Sequence, residues 1–396
     1  MQLIAYGSQD AYLTGNPQIT FFKTMYKRYT NFAVEPIAQT FNGTANFGRK
    51  VNTVISRNGD LITNMWLQVK LPKVTKANSG DAYKYCPAFG NALLRSIELQ
   101  VGGQKIDKHY SDYLEILKQL TVEESKQAGF DAFADSDLDP STDDVDDKYM
   151  YVPLQFFFCR NVGLALPLIA LQYHEVRVDI EFEEAHKLFM YQNNGESNWN
   201  AGIKSGDSVD LTEVELFVDY IFLDTEERRR YAAASHEYLI EQLQHTGPET
   251  WSNNSQKIRL NFNHPVKALY FVMQDEAEEA GNPLKSLDKL KRMKIQLNGQ
   301  DRFSPRPGSY FRYIQPYQAH TRVPTHEDRV IYVYSFGLNP EQHQPSGTCN
   351  FSRIDTAMLH LDTDTSNVSS GRIKIFATNY NVVRISSGML GVAYAN

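Results

Sequence analysis

The sequence is poor in cysteine, with three in 396 residues: Cys86, Cys159 and Cys349. Their spacing does not match the clustered pattern of cysteine metal sites, so we expect no metal held by cysteine. Isolated cysteines in apolar or strand-like stretches are typical of buried, reduced thiols in a cytosolic protein. The sequence therefore predicts free thiols and no disulfide framework.

Long apolar runs are also missing. The most apolar stretches, 151–159 and 164–171, are separated by Arg160 and Asn161, and neither approaches the ~18 consecutive apolar residues of a membrane span. Residues 1–4 lack the basic segment and apolar run that begin a secretory signal. We therefore expect a protein that is soluble and intracellular when it is made.

An excess of positive charge is the third absence. The net charge is -7, whereas a protein that coats nucleic acid needs a basic face to neutralise phosphates. We therefore expect no direct contact with nucleic acid. A net negative charge instead keeps a protein soluble at high concentration through self-repulsion.

Aromatic residues and alternating hydrophobicity are what the sequence has in abundance. The chain contains 23 Tyr and 22 Phe, and such residues favour half-buried sheet surfaces. Apolar and polar residues alternate with the period of a β-strand in many short runs, and turn residues separate them. This pattern predicts an all-β fold of the sandwich or barrel type. The clearest runs are 65–71, 97–101, 176–182, 258–262, 331–333 and 373–375.

Helical periodicity is rare. Residues 112–126 place Leu114, Leu117 and Leu120 at roughly helical spacing, and residues 237–243 give a second, shorter signal. We predict a helix at each place, as a connection packed on the ends of sheets.

An internal repeat divides the chain. Residues 98–104 align with 294–300 at an offset of 196, and each segment is a strand that enters a Gly-containing turn followed by Gln. Two further matches keep the same order, 59–69 with 264–272 and 214–218 with 373–377. Two copies of one β-domain explain all three, with a hinge near residues 223–235. We assign 1–26 to an N-terminal arm, 27–224 to the first domain and 225–396 to the second.

Signals for a chemical site are weak. The ten histidines include no His-x-His or His-Glu-x-x-His motif, and we interpret His174 and His236 as structural. Asp135, Asp137 and Asp139 are spaced like calcium ligands, but the turn and final positions of that loop do not fit, so a solvated surface loop is favoured. We expect no metal, cofactor or catalytic residue. The two acids of a glycoside hydrolase are close in space but need not be close in sequence, so the sequence does not exclude such a pair.

Two groups of residues are candidates for assembly and modification. The N-terminal arm is more apolar than a free terminus needs, so it must dock, either on its own chain or beneath a neighbouring subunit. Its candidate contact residues are Tyr12, Leu13, Phe21, Phe22 and Tyr26. Asn-x-Ser/Thr sequons occur at Asn42, Asn253, Asn350 and Asn367. In a cytosolic protein we expect such sequons to be chance occurrences, because the glycosylation machinery acts on secreted chains.

Longer motifs resemble a known family. Residues 14–22, 28–33, 102–110 and 163–176 closely resemble the major capsid proteins of large icosahedral DNA viruses, the phycodnavirus type that infects algae above all. The likeness continues to the last residues and departs at 73–85, 123–149, 192–210 and 275–291. The resemblance implies two tandem eight-stranded jelly rolls with short helices in the connections. It also implies a homotrimer, whose three pairs of domains give six lobes and a nearly hexagonal outline.

The resemblance further implies where the partners lie. The arm would sit at the inner face of the shell, near minor capsid proteins and the inner viral membrane, with neighbouring capsomers at the flanks and variable loops outside. Assembly would take place in the host cell cytoplasm, and relatives carry glycans in unusual sequence contexts. The predicted function is thus structural. A minor, vertex or glycan-binding jelly roll of the same virion, or a glycan-processing enzyme, remains the alternative.

Overall fold

A computed structural model describes residues 4–78, 80–136, 138–251, 254–275, 281–366 and 370–394. Within them the chain forms two β-sandwiches in sequence, each made of two principal antiparallel sheets. The alternating runs of the sequence lie on these strands, which confirms the predicted all-β class.

The first sandwich contains eight principal strands. One sheet has the order β1-β8-β3-β6 and the other β2-β7-β4-β5, so neighbours in a sheet are mostly distant in sequence, as in a jelly roll. The strands are β1 (Phe32–Gln39), β2 (Lys50–Val54), β3 (Leu61–Lys70), β4 (Leu94–Val101), β5 (Gln104–Tyr110), β6 (Tyr149–Pro153), β7 (Val176–Phe182) and β8 (Val214–Leu223).

The second sandwich repeats this topology. Its sheets have the orders β9-β16-β11-β14 and β10-β15-β12-β13, which are the first two orders with each number raised by eight. The strands are β9 (His236–Trp251), β10 (Ser255–Arg259), β11 (Pro265–Asp275), β12 (Leu290–Leu297), β13 (Gln300–Asp301), β14 (Tyr332–Ser335), β15 (Ala357–Thr363) and β16 (Gly371–Ser386). The fold is therefore a double jelly roll.

The sequence repeat falls on equivalent strands. Residues 98–104 form the β4–β5 hairpin, in which Val101 pairs with Gln104. Residues 294–300 form the β12–β13 hairpin, in which Leu297 pairs with Gln300. The other two matches fall on β3 with β11 and on β8 with β16. The predicted duplication of one β-domain is confirmed.

Short elements fill the connections. The helices are α1 (Ser8–Thr14), α2 (Phe89–Leu93), α3 (Ser111–Thr121), α4 (Glu124–Ala134), α5 (Phe157–Arg160), α6 (Ala185–Leu188), α7 (Thr225–Ala233) and α8 (Gln315–Ala319). A π-helical turn, Tyr310–Ile314, leads into α8, and 3₁₀ turns occur at Asp143–Val145, Val162–Leu164, Leu168–Ala170 and Phe351–Arg353. The minor strands are Val74–Thr75, Ala82–Tyr85, Leu166–Pro167, Phe189–Gln192, Asn200–Ala201, Ser208–Val209, Arg306–Pro307, Cys349–Asn350 and Met389–Val392.

One of the two predicted helices forms, although it packs on the outer face of a sheet and not on sheet ends. Residues 112–126 lie on α3 and the start of α4, with a break after Thr121. The helix predicted at 237–243 is wrong, because these residues belong to β9. That strand pairs with β16 along most of its length, from His236 opposite Ile385 to Trp251 opposite Gly371. The ladder overrides the helix-forming Glu, Leu and Gln side chains of this segment.

Helix α3 joins the two sandwiches. It begins directly after β5 and packs Tyr113, Ile116, Leu117 and Leu120 on the outer face of the β9-β16-β11-β14 sheet. On that face the helix packs against the buried side chains of Tyr270 and Phe376. A second contact is continuous with the core of the first sandwich and contains Ile240, Val383, Ile385 and Leu390 of the second. The two jelly rolls therefore share buried apolar surface.

Candidate assembly surfaces

The N-terminal arm is an exposed apolar segment. Every described residue from 4 to 36 is exposed, and α1 buries none of its side chains. Tyr12 and Leu13 lie on α1, Phe21 and Phe22 lie in the following turn, and Tyr26 lies beyond it. Phe22 is 98% exposed. The sequence left two alternatives for the arm, docking on its own chain or beneath a neighbouring subunit. In this structure the five candidate residues do not dock on their own chain.

This exposure has an energetic consequence. Burying a large apolar side chain contributes about 1.5–3 kcal/mol, and the five candidate residues are all exposed. Single exposed apolar residues are normal, whereas a contiguous exposed patch marks an interaction surface. The structure places these residues along the arm without bringing them into one cluster.

The outer face of the first sandwich is a second apolar surface. Strand alternation directs Trp66, Phe217 and Tyr151 away from the core, and register places Trp66 opposite both Phe217 and Pro153. All four side chains are half-buried or exposed. Phe133 of α4 contacts one side of Trp66, with 5.9 Å between the ring centres, and α4 also packs along β6. Trp66 and Phe217 nevertheless remain partly exposed.

A third apolar surface lies on the second sandwich. Tyr313, Ile314 and Tyr317 project from the helical segment formed by the π-turn and α8, and all three are exposed. Phe311, on the same segment, is buried in the core of the second sandwich. The segment therefore has one face in its own domain and one face toward solvent.

A cleft of about 500 Å³ lies between the two sandwiches. Arg160 of the first and Lys267 of the second both bind the Glu241 carboxylate, at 2.7 Å from Arg160 Nη1 and 2.5 Å from Lys267 Nζ. Burial lowers the pKa of Lys267 to about 8, although the nearby negative charge of Glu241 favours the protonated amine and opposes this shift. The cleft thus contains a charge network that spans the domain boundary.

A second carboxylate, Glu341, also faces this cleft. Burial raises its pKa, but hydrogen bonds from His320 and Thr321 outweigh that effect, and the net shift is downward. A general acid of a glycosidase needs a raised pKa. With Glu241 held by two cations and Glu341 kept ionised, the cleft has the chemistry of a structural network.

The acidic loop is organised by hydrogen bonds. Asp135 accepts from the backbone N–H groups of Ala88 and Phe89, at 2.8 and 3.2 Å, beside the first turn of α2. Asp139 accepts from Ser141 instead, and Asp137 lies outside the described residues. The predicted surface loop is thus anchored at Asp135, whose carboxylate accepts from the backbone N–H groups of the buried Ala88 and Phe89. Among the described residues, no three Asp, Glu, His or Cys side chains converge as a metal site.

The remaining candidates are scattered. Asn42 and Asn350 are exposed, while Asn253 and Asn367 lie outside the described residues. The three cysteines are free, Cys86 buried and the other two half-buried. Burial raises the pKa of Cys86 and that of Cys159, the latter to about 12. None of the helices in the described ranges combines the length and the hydropathy that crossing a bilayer requires.

Sequence reasoning missed the Trp66 surface, the Tyr313 surface and the cleft. Arg160, Glu241 and Lys267 are far apart in the chain, and no motif links them. Trp66 and Phe217 look like ordinary members of alternating strands. A residue-by-residue comparison of the two halves pairs Tyr113 with Tyr313, but their different exposures appear only in the folded chain.

Comparison with known proteins matches both halves of the chain. Residues 20–224 match the family "Major capsid protein N-terminus", and residues 227–391 match the family "Large eukaryotic DNA virus major capsid protein". The major capsid protein of Pyramimonas orientalis virus is 47% identical, and that of Paramecium bursaria Chlorella virus 1 is 44% identical. Each match covers 100% of this chain and 99% of the relative.

Solved structures agree. The crystal structure of PBCV-1 VP54, fitted into a reconstruction of the virophage Sputnik, matches with a TM-score of 0.80 and 40% identity, over 95% of this chain and 100% of that one. The Faustovirus major capsid protein shares the fold, with a TM-score of 0.76 at 14% identity over 96% of this chain and 94% of that one. The resemblance seen in the sequence motifs is confirmed. The chain therefore belongs to the major capsid proteins of large eukaryotic DNA viruses, and it is a structural component of the virion shell that associates with copies of itself.

Proposed function

We propose that the chain forms homotrimeric capsomers with a nearly hexagonal outline, which tile an icosahedral shell around a double-stranded DNA genome. The observation that carries this proposal is the repeated strand order of the two sandwiches. Three chains with two similar lobes each supply six lobes around a threefold axis. The arm is assigned to residues 1–26, and the two lobes to 27–224 and 225–396.

The role proposed is purely structural, without catalysis. Both carboxylates of the inter-domain cleft are engaged, Glu241 with two cations and Glu341 with His320 and Thr321. The net charge of -7 supports a shell subunit that has no direct contact with nucleic acid.

The exposed arm supplies the connector of this proposal. Its apolar side chains, buried by nothing in their own chain, suit contacts with minor capsid proteins at the inner face, near the inner viral membrane. Assembly then takes place in the host cell cytoplasm. The loops at 73–85, 123–149, 192–210 and 275–291 would face outward.

The test of the oligomeric state is light scattering coupled to size-exclusion chromatography at micromolar concentration. A trimer of the 45.3 kDa chain is expected, because a stable capsomer should bury upward of ~2,000 Å² at each contact. A stable monomer at this concentration contradicts the proposal.

A further inference from the structure

The two sandwiches are equivalent in topology but not in what covers them. In the second, the outer face of the β9-β16-β11-β14 sheet lies under α3, and Tyr270 and Phe376 are buried. In the first, α4 covers only the β6 edge of the corresponding face, where Phe133 contacts Trp66, and Trp66 and Phe217 stay half-buried. Tyr270 pairs with Phe376 just as Trp66 pairs with Phe217, so the two pairs occupy the same place in the fold.

The covering helix also has a counterpart. Tyr110, Tyr113 and Thr121 of the α3 region recur as Tyr310, Tyr313 and Thr321, at a constant offset of 200 residues. Both helical segments follow the equivalent strands, β5 in the first sandwich and β13 in the second. The α8 segment is therefore the second-domain copy of α3.

The exposures of equivalent side chains differ sharply. Tyr113 and Leu117, which pack on the neighbouring sandwich, are 2% and 5% exposed. Tyr313 and Tyr317, at the same positions of the second copy, are 39% and 78% exposed. The chain thus contains one completed helix-on-sheet contact and both halves of a second one that it cannot complete alone.

We propose that a second copy of this chain completes that contact. The Tyr313–Tyr317 face of one subunit packs on the Trp66, Tyr151 and Phe217 face of the next, as α3 packs on its own second sandwich. The contact is head-to-tail, and such contacts close into a ring when each subunit supplies one of each face. This inference rests on the homotrimer proposed above and identifies the surfaces that hold it together.

The experiment introduces a charged residue into each of the two faces and measures the mass of the assembly by light scattering. Tyr317→Lys and Tyr151→Glu, made singly, each place an unpaired charge in an apolar contact, so the mass is expected to fall from that of a trimer to that of one chain. The double variant places opposite charges in the same contact and is expected to recover the trimer. Tyr173→Lys is the matched control, since Tyr173 is 73% exposed and lies outside both faces.

The outcomes separate the two proposals. If the unmodified chain is a monomer, the homotrimer itself is wrong. If the unmodified chain and Tyr317→Lys are both trimers, the homotrimer stands and the contact assigned here is overturned.

A second measurement, by chemical crosslinking, tests the same contact without introducing charges and so applies if the charge variants fail to fold. Tyr317→Cys combined with Tyr151→Cys, treated with a short bifunctional maleimide, should give a covalent trimer, whereas neither single variant should. Absence of that product from a trimeric double variant also overturns the assignment.

Discussion

Arg160 of the first sandwich donates a hydrogen bond to Glu241 of the second, with 2.7 Å between Arg160 Nη1 and Glu241 Oε2. Lys267 binds the other oxygen of the same carboxylate at 2.5 Å. One half-buried carboxylate therefore compensates two cations at the boundary of the domains, of which Lys267 is buried and Arg160 is partly exposed. Breaking such a network by removing one member costs far more than its net contribution suggests.

Replacing this carboxylate tests the network. Glu241→Gln removes the carboxylate that binds both Arg160 and Lys267, and we expect the free energy of unfolding to fall by about 3 kcal/mol. The control is Glu237→Gln on the same strand, whose partner Arg384 lies at 2.7 Å in an exposed pair. That change should cost less than about 1 kcal/mol. Urea denaturation of both variants measures the difference, and equal losses would show that burial of the network is unimportant.

Alkaline pH tests the same network through Lys267. Its pKa is about 8 in the folded chain because of burial, against 10.5 in the unfolded chain. Between these values the unfolded state binds more protons, so the contribution of Lys267 to stability rises with pH, by about 2 kcal/mol from pH 8 to pH 10. Lys267→Met should lose this rise. Denaturation curves across that range measure it, and parallel profiles for the two proteins would contradict the shift.

The α3 contact can be weakened from within. Leu120 is fully buried between the two sandwiches, so Leu120→Ala should destabilise the chain by about 2–5 kcal/mol through lost burial and a residual cavity. Leu338→Ala, at an exposed position, should change stability by less than about 0.5 kcal/mol. Thermal unfolding of the pair distinguishes them. A small effect at Leu120 would show that α3 does not hold the sandwiches together.

Deletion of residues 1–26 tests the arm. Because the described part of this segment buries nothing in its own chain, the truncated protein should keep its melting temperature and its trimer mass. Shell assembly, followed by electron microscopy, should fail. Phe22→Ser is the milder variant and should reduce assembly in the same direction. A truncated chain that does not fold would place the arm in the core instead.

Alternation and repetition made much of the fold predictable. Strands such as β3 are predictable because one face is buried, which produces alternation of apolar and polar residues. The β4–β5 and β12–β13 hairpins share a Gly-Gln sequence at the turn, at Gln104 and Gln300. The segment at 237–243 misled because its composition favours a helix, while its partner strand β16 is more than 130 residues away. Non-local pairing of this kind leaves no trace in a local pattern.

The assembly residues divide in the same way. The arm was found from composition, because an apolar terminus is unusual in itself. The Tyr313 surface could not be found from composition, since exposed and buried tyrosines look alike in a sequence. Only the contrast between Tyr113 and Tyr313 in the folded chain separates them.

The core of the first sandwich includes Ile240, Val383, Ile385 and Leu390 of the second. A subunit whose two lobes share a core in this way behaves as one rigid body, since neither lobe can rotate without opening buried apolar surface. A curved shell built from such rigid subunits must take its curvature from the contacts between capsomers. Duplication followed by fusion of the cores would also have ended the independence of the two halves, so neither could afterwards be exchanged or lost alone.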